Sequence, residues 1–334
     1  MGDAVILAGA VAKGAWSAGA LRVLTEPETQ ARLGLDIRRV VAASSGAING
    51  AFVASHLRDG SEAAAGPLLE ELWIELGDFG GVFDVSPRAI LGRRGISTSK
   101  KVRALLEKYI TPRRGTRPIE LAVVVTNMDG EVDIVGSELA TTYERCVRFG
   151  GEAFDDEARL PALFDAVVAS AALPIIFQPV EVALGARTIR CVDGGVVNNT
   201  PVKYALGGGG DIDRIFVIAP FPSVEKAPSD IRGLTLVAQL AEMLVAERLY
   251  RDLKEAYAVN RGLRALERAL PLSSLRDRAV SAIGWENRRV INIVEIRPNE
   301  DLAGDAMAGF FSKRLREDYV RAGGEKARAC LGLG

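Results

Sequence analysis

The stretch Val40-Val-Ala-Ala-Ser44-Ser45-Gly46-Ala47-Ile48-Asn49-Gly50-Ala-Phe52-Val-Ala-Ser-His56-Leu57 runs for 18 residues without a charge. A membrane span needs about 20 apolar residues, and the Ser-Ser-Gly and Asn-Gly pairs are poor company for one. The stretch instead divides in two. Arg38-Arg-Val-Val-Ala-Ala43 reads as a buried strand, and the remainder through His56 reads as a buried helix. Such apolar strands are those of a sheet covered on both faces.

The neighbouring segments repeat the alternation. Ala4–Ala8 reads as a strand, a small-residue loop occupies Gly9 to Gly14, and a helix follows from about Ala15 to Glu26. Helices are expected at Ser61–Leu76 and Ser99–Tyr109, and strands at Leu121–Thr126 and Asp213–Ala219. A long helix from Leu234 to about Ala269, a strand at Val290–Ile296 and a helix at Ala306–Arg321 close the chain. Strands alternating with helices at this spacing predict an α/β layered fold with a mostly parallel sheet. No repeat is present, and the glycine run Gly207–Gly210 and the loop Pro220–Pro228 are flanked at once by apolar strands. They read as turns rather than linkers, so one domain over 1–334 is expected.

Composition removes several function classes. With 42 Lys+Arg against 43 Asp+Glu, the chain lacks the basic excess of a nucleic-acid binder. Cys146, Cys191 and Cys330 form no Cys-x-x-Cys pair, and His56 is the sole histidine, so neither a zinc site nor another metal site is expected. Met1-Gly2-Asp3 offers no basic leader and Lys13 interrupts the apolar stretch, so no secretory signal is read and the expected location is cytoplasmic, with peripheral membrane contact left open.

Three segments carry candidate chemistry. The loop Gly9-Ala10-Val11-Ala12-Lys13-Gly14 lies between a strand and a helix, where backbone N–H groups can face an anion. It is no Walker A loop, since Ala15-Trp16 stands where Ser or Thr is required, and a tight turn explains it as well. At the next strand-to-helix junction, Ala42-Ala43-Ser44-Ser45-Gly46 partly meets the G-x-S-x-G elbow that exposes a nucleophilic serine. Ser44 has Gly46 two residues on, which favours it over Ser45; the alternative is a helix cap. His56 is 12 residues further along the helix, about 18 Å at 1.5 Å per residue, so it cannot serve Ser44 as base and reads as a helix-end residue near the surface. A carboxylate remains. Asp193 ends a strand at Ile189-Arg-Cys-Val-Asp193-Gly194-Gly195, either as a proton acceptor or as an Asp-Gly turn.

Taken in order, these segments resemble the patatin-like phospholipase family, in its bacterial branch. Gly9, Lys13 and Gly14 match its glycine-rich first motif. Ser44, Gly46, Ala47, Ile48 and Asn49 match its serine elbow, and Asp193-Gly194-Gly195 with Asn199-Thr200-Pro201 match its Asp-Gly motif. Ala169-Ser170-Ala-Ala-Leu-Pro174-Ile-Ile-Phe177-Gln-Pro179 matches a fourth. The matching core runs from about 4 to 203, with 204–334 as a helical and strand extension. The resemblance implies a three-layer α/β/α fold and a Ser44–Asp193 dyad acting through an acyl-enzyme. It implies an oxyanion hole at Gly9, Ala10 and Val11, no cofactor, and a lipid or small acyl ester as substrate. Ala10, Val11 and Ala42 replace glycines of the family pattern. An altered loop leaves open a weakened lipid-binding or regulatory protein, and the same acyl-serine could serve an acyltransferase. Trp16, Trp73, Phe79, Phe83 and the apolar patches near Val82–Ile90 read as core at their helical spacing, with an acyl groove or membrane contact as the alternative. Arg93-Arg94 and Arg113-Arg114 read as solvated loop charge, with anionic headgroups as the alternative.

Overall fold

A computed structural model describes residues 2–84, 97–135, 138–206, 211–222, 234–270, 272–285 and 288–333. The apolar runs become strands and the intervening patterns become helices. In chain order the first half contains β1 (Gly2–Leu7), α1 (Gly14–Thr25), α2 (Pro27–Leu33), β2 (Ile37–Ala43), α3 (Ser45–Asp59), α4 (Glu62–Glu71), α5 (Phe79–Val82) and α6 (Lys100–Tyr109). There follow β3 (Glu120–Val135), β4 (Glu138–Gly150), α7 (Leu160–Ser170), β5 (Val180–Leu184), β6 (Arg187–Val192), α8 (Gly195–Asn198) and α9 (Val202–Leu206). The chain closes with β7 (Ile212–Ile218), α10 (Leu234–Ala269), α11 (Ser273–Ala282), β8 (Asn292–Ile296), α12 (Ala308–Phe311) and α13 (Lys313–Leu331).

The strands form one sheet in the order β5-β6-β3-β2-β1-β7-β8, with β4 also paired to β3. From β3 to β8 the neighbours run parallel, while β4, β5 and β6 form an antiparallel flank. Successive strand side chains point to opposite faces, and the buried residues separate accordingly. Val5, Leu7, Val40, Ala42, Leu121 and Val123 join one core with α1, α3 and α7. Ala4, Ile6, Val41, Ala122, Ile215 and Val217 join a second core that includes Leu249 and Leu253 of α10. Helices therefore cover both faces, and the fold is the expected α/β/α sandwich. The segment 204–334 supplies β7 and β8 to this same sheet, and α13 packs closely on α1, where Gly323 faces the Trp16 carbonyl.

Several features depart from the sequence reading. The helix expected at Ala306–Arg321, for one, breaks at Ser312 into α12 and α13, and α13 runs on to Leu331. The strand expected to end at Thr126 continues to Val135, because a register shift between Thr126 and Glu131 absorbs the Asn-Met-Asp-Gly turn and Gly130 takes φ +69° there. The expected helix at Ser61–Leu76 is α4 followed by a π-helical turn over Leu72–Leu76. His56 is not near the surface: it is fully buried. α3 lies between the sheet and α4, so its last turn is covered, and the His56 ring stacks on Phe52 with centroids 5.0 Å apart. The glycine run 207–210 and the loop from 223 to 228 lie outside the described residues.

Candidate active site

Parallel neighbours bring their carboxyl ends to one edge, and crevices form there where the chain leaves in different directions. β1 delivers Gly9 to that edge and β2, hydrogen-bonded beside it, delivers Ser44. The approach is close: a Cβ on Gly9 would lie 2.1 Å from Ser44 Cβ, so no side chain fits at Gly9. Gly46 is equally constrained, since its Cβ would lie 2.5 Å from the Leu7 carbonyl oxygen where α3 crosses β1. Ala42 sits inside β2 outside the left-handed region, so replacing a glycine there carries no backbone strain.

Ser44 adopts φ +55°, ψ −135°, a conformation that L-residues avoid and that tertiary contacts must hold. One of those contacts is Ser170, whose hydroxyl accepts the Ser44 N–H at 2.9 Å and donates to the Val124 carbonyl at 2.6 Å. Ser170 belongs to the fourth motif, and the fold gives it the task of anchoring the elbow to β3.

Asp193 arrives from the antiparallel side. β6 pairs with β3 at Thr126 and Asn127, so its end faces the Ser44 edge. Ser44 Oγ donates to Asp193 Oδ2 at 2.6 Å, and the Gly195 N–H donates to Oδ1 at 2.7 Å. Asp193 is only 3% exposed, and burial pushes its carboxyl up to about 7 against the opposing pull of these two hydrogen bonds. Gly194 is needed because a Cβ there would strike the Val124 carbonyl at 1.9 Å, and Gly195 because its Cβ would crowd Asn199 and Asp193.

The glycine-rich loop is more committed than its sequence suggested. The Gly9 N–H donates to Asn199 Oδ1 at 3.0 Å, and Asn199 Nδ2 returns a bond to the Gly9 carbonyl at 2.8 Å. The Ala10 N–H donates to Ser45 Oγ at 3.0 Å. Val11 takes φ +51°, a strained value for a β-branched residue, costing roughly 1–3 kcal/mol. Lys13 is buried on the short 3-10 turn Val11–Lys13, and Gly14 opens α1 against the Trp73 ring.

Ser44 and Asp193 both open onto an apolar cavity enclosing about 780 Å³, its open mouth included. Phe52, Leu72, Trp73, Phe83, Leu106 and Phe177 are among its walls. Of the aromatics read as core or groove, Trp73 and Phe83 line the cavity and Phe79 stacks on Phe83, while Trp16 is wholly inside the helix–sheet core. Asn49 positions this wall: its Oδ1 accepts from Trp73 Nε1 at 2.7 Å and its Nδ2 donates to the Gly14 carbonyl at 3.0 Å. Asn49→Ala strands the buried indole N–H, and an expected loss of about 2 kcal/mol would appear as a lower urea midpoint.

The remaining expectations are placed as follows. Arg113 bonds Asp59, Ser61 and His56, which commits it within the fold instead of to a headgroup. The His56 ring accepts from Arg113 at Nε2 and faces the Phe52 carbonyl at Nδ1; desolvation, then Arg113, holds its pKa below the ordinary value. Residues 85–90 and Arg93-Arg94 lie outside the described residues. Among the described residues no group of three His, Cys, Asp or Glu side chains could hold a metal ion, and no helix is long and apolar enough to cross a membrane.

Among solved structures, the chain is similar to VipD from Legionella pneumophila at 13% identity and a TM-score of 0.43, covering 99% of this chain. It spans 66% of that protein's chain, just under two thirds. A search of curated proteins finds no match. The profile of the family described as patatin-like phospholipase matches residues 5–206, a range that includes the loop, the serine elbow and the Asp-Gly turn. The chain thus belongs to the patatin-like phospholipases, a family of lipid acyl hydrolases.

Proposed function

We propose that this chain is a serine acyl hydrolase that cleaves acyl esters of phospholipids or lysophospholipids through Ser44 and Asp193. The observation that carries the reading is the 2.6 Å contact between Ser44 Oγ and Asp193 Oδ2 at the floor of an apolar cavity. Ser44 Oγ attacks the ester carbonyl carbon while Asp193 accepts its proton, and collapse of the tetrahedral intermediate expels the alcohol, which takes that proton back. Water, deprotonated by Asp193, then attacks the acyl-serine carbonyl, and the ester bond breaks to release the fatty acid as Ser44 Oγ takes that proton back from Asp193.

The negative oxygen of each intermediate needs N–H donors already in place. Gly9 and Ala10 have spent theirs on Asn199 and Ser45, so the Val11 N–H is the loop donor this reading assigns. The amide of Ser45, first residue of α3, is the second, since a helix N-terminus presents unpaired N–H groups. A strained β-branched residue at the first of these donors favours a slow enzyme over one tuned for turnover. That observation also supports the second reading, a lipid-binding protein of weakened activity.

Release of fatty acid from phospholipid vesicles, together with labelling by a fluorophosphonate, tests the proposal. A chain that binds lipid but neither releases fatty acid nor takes the label would support the second reading. The pH profile is a further expected outcome. Asp193 must be ionised to accept a proton, and burial places its pKa at about 7. For a soluble ester, kcat/KM should therefore rise with pH, falling about tenfold per unit below the inflection and levelling above it. A rate flat from pH 5 to pH 8 would remove Asp193 as the base.

A further inference from the structure

Five phenylalanines form a continuous path from the cavity to solvent. Phe83, a cavity wall, stacks on Phe177 at 5.2 Å and meets the edge of Phe310 at 5.0 Å, both of them also cavity walls. On its other side Phe83 stacks on Phe79 at 4.7 Å, and Phe79 stacks on Phe311 at 5.2 Å. Phe311 ends the series 69% exposed. Ile175, between the cavity-lining residues Leu173 and Ile176, is 55% exposed and held at φ +76°. Exposed apolar groups joined to a cavity in this way mark an interaction site rather than stray surface carbon.

Cations border the same place. Lys101 donates to the carbonyl of Gly80, next to Phe79, and Lys313 and Arg314 open the helix that follows Phe311, with Lys313 paired to Glu75. Asp78, itself exposed, caps α5 by accepting the Gly81 N–H. Lys101 and Arg314 are exposed.

From this juxtaposition we infer that Phe79 and Phe311, bordered by Lys101, Lys313 and Arg314, form a docking surface for a phospholipid bilayer bearing anionic headgroups. The inference rests on the lipid-hydrolase reading. A bilayer fits better than a protein because the occupant must also feed the cavity, and the aromatic path offers an acyl chain continuous apolar contact from the surface inward. Aromatic side chains settle at the headgroup boundary, and neighbouring Lys and Arg add attraction to anionic lipid.

The test measures partition of full-length Ser44→Ala protein onto vesicles by sedimentation, so the result does not depend on whether the chain hydrolyses esters. Two compositions serve: phosphatidylcholine alone, and equal parts phosphatidylcholine and phosphatidylglycerol. The parent should bind the mixed vesicles more tightly. Adding Phe311→Asp should lower its partition at least about tenfold, from the loss of one inserted aromatic side chain. Adding Lys101→Glu with Arg314→Glu should weaken binding to the mixed vesicles while sparing the neutral ones. All of these residues but the serine are exposed, and an unchanged melting temperature checks that each variant is folded. Parent protein that does not sediment with mixed vesicles, or variants that partition as the parent does, would overturn the inference.

Discussion

Ser44→Ala should lower fatty-acid release by roughly 10⁴- to 10⁶-fold and abolish fluorophosphonate labelling, because no other group replaces the oxygen that forms the acyl-enzyme. The size of the loss follows from the site's isolation. Ser45 is next in sequence, but its hydroxyl already accepts the Ala10 N–H and belongs to the helix rather than the elbow. Ser170 is bound to Val124 and to the Ser44 amide. Neither hydroxyl contacts Asp193, which accepts from Ser44 and from the Gly195 amide. The variant should fold, since alanine keeps the N–H that Ser170 holds and vacates only the Oγ. Hydrolysis and labelling at the wild-type rate in this variant would remove Ser44 from the chemistry.

For Asp193→Asn, activity and stability should move in opposite directions. The amide is isosteric but cannot accept the serine proton, so a rate loss of about 10³- to 10⁴-fold is expected. Stability should follow the proton. The folded carboxyl titrates at about 7, above the ordinary value of 3.8, so between these the folded chain holds a proton that the unfolded chain has released. The stability that this proton contributes is fully present below the lower value and is lost as pH rises through the upper one. At pH 8 the wild type must bury a bare carboxylate, whereas the variant buries a neutral amide. Its melting temperature should equal or exceed that of wild type at pH 8, and any excess should vanish near pH 4. A variant less stable at pH 8 than at pH 4, relative to wild type, would show that the hydrogen bonds outweigh the burial of charge.

The alternation of strand and helix was legible because burial on both faces leaves uninterrupted apolar runs, as in Val40–Ala43 and Ile215–Ala219. The antiparallel flank was harder to see. β4 carries charged and polar residues such as Glu144, Arg145 and Arg148, and its pairing with β3 comes from backbone bonds that no apolar pattern announces. The continuation of β3 beyond Thr126 was hidden for the same reason, since a bulge containing Asn127, Asp129 and Gly130 spells a turn in sequence. His56 was misplaced because helix periodicity does not report what a later helix covers.

At the site itself, the sequence by itself determined the residue types and their order: a serine after a buried strand, an aspartate before two glycines, and a histidine too far along its helix to serve. Those conclusions needed only local geometry and a count. Which amides remain available was decided by tertiary structure alone. Asn199, 190 residues from Gly9, takes the Gly9 N–H, and Ser45 takes that of Ala10, so two of the loop's three amides are engaged within the fold. A backbone N–H has a single proton to give, and its partner is set by what the fold brings beside it.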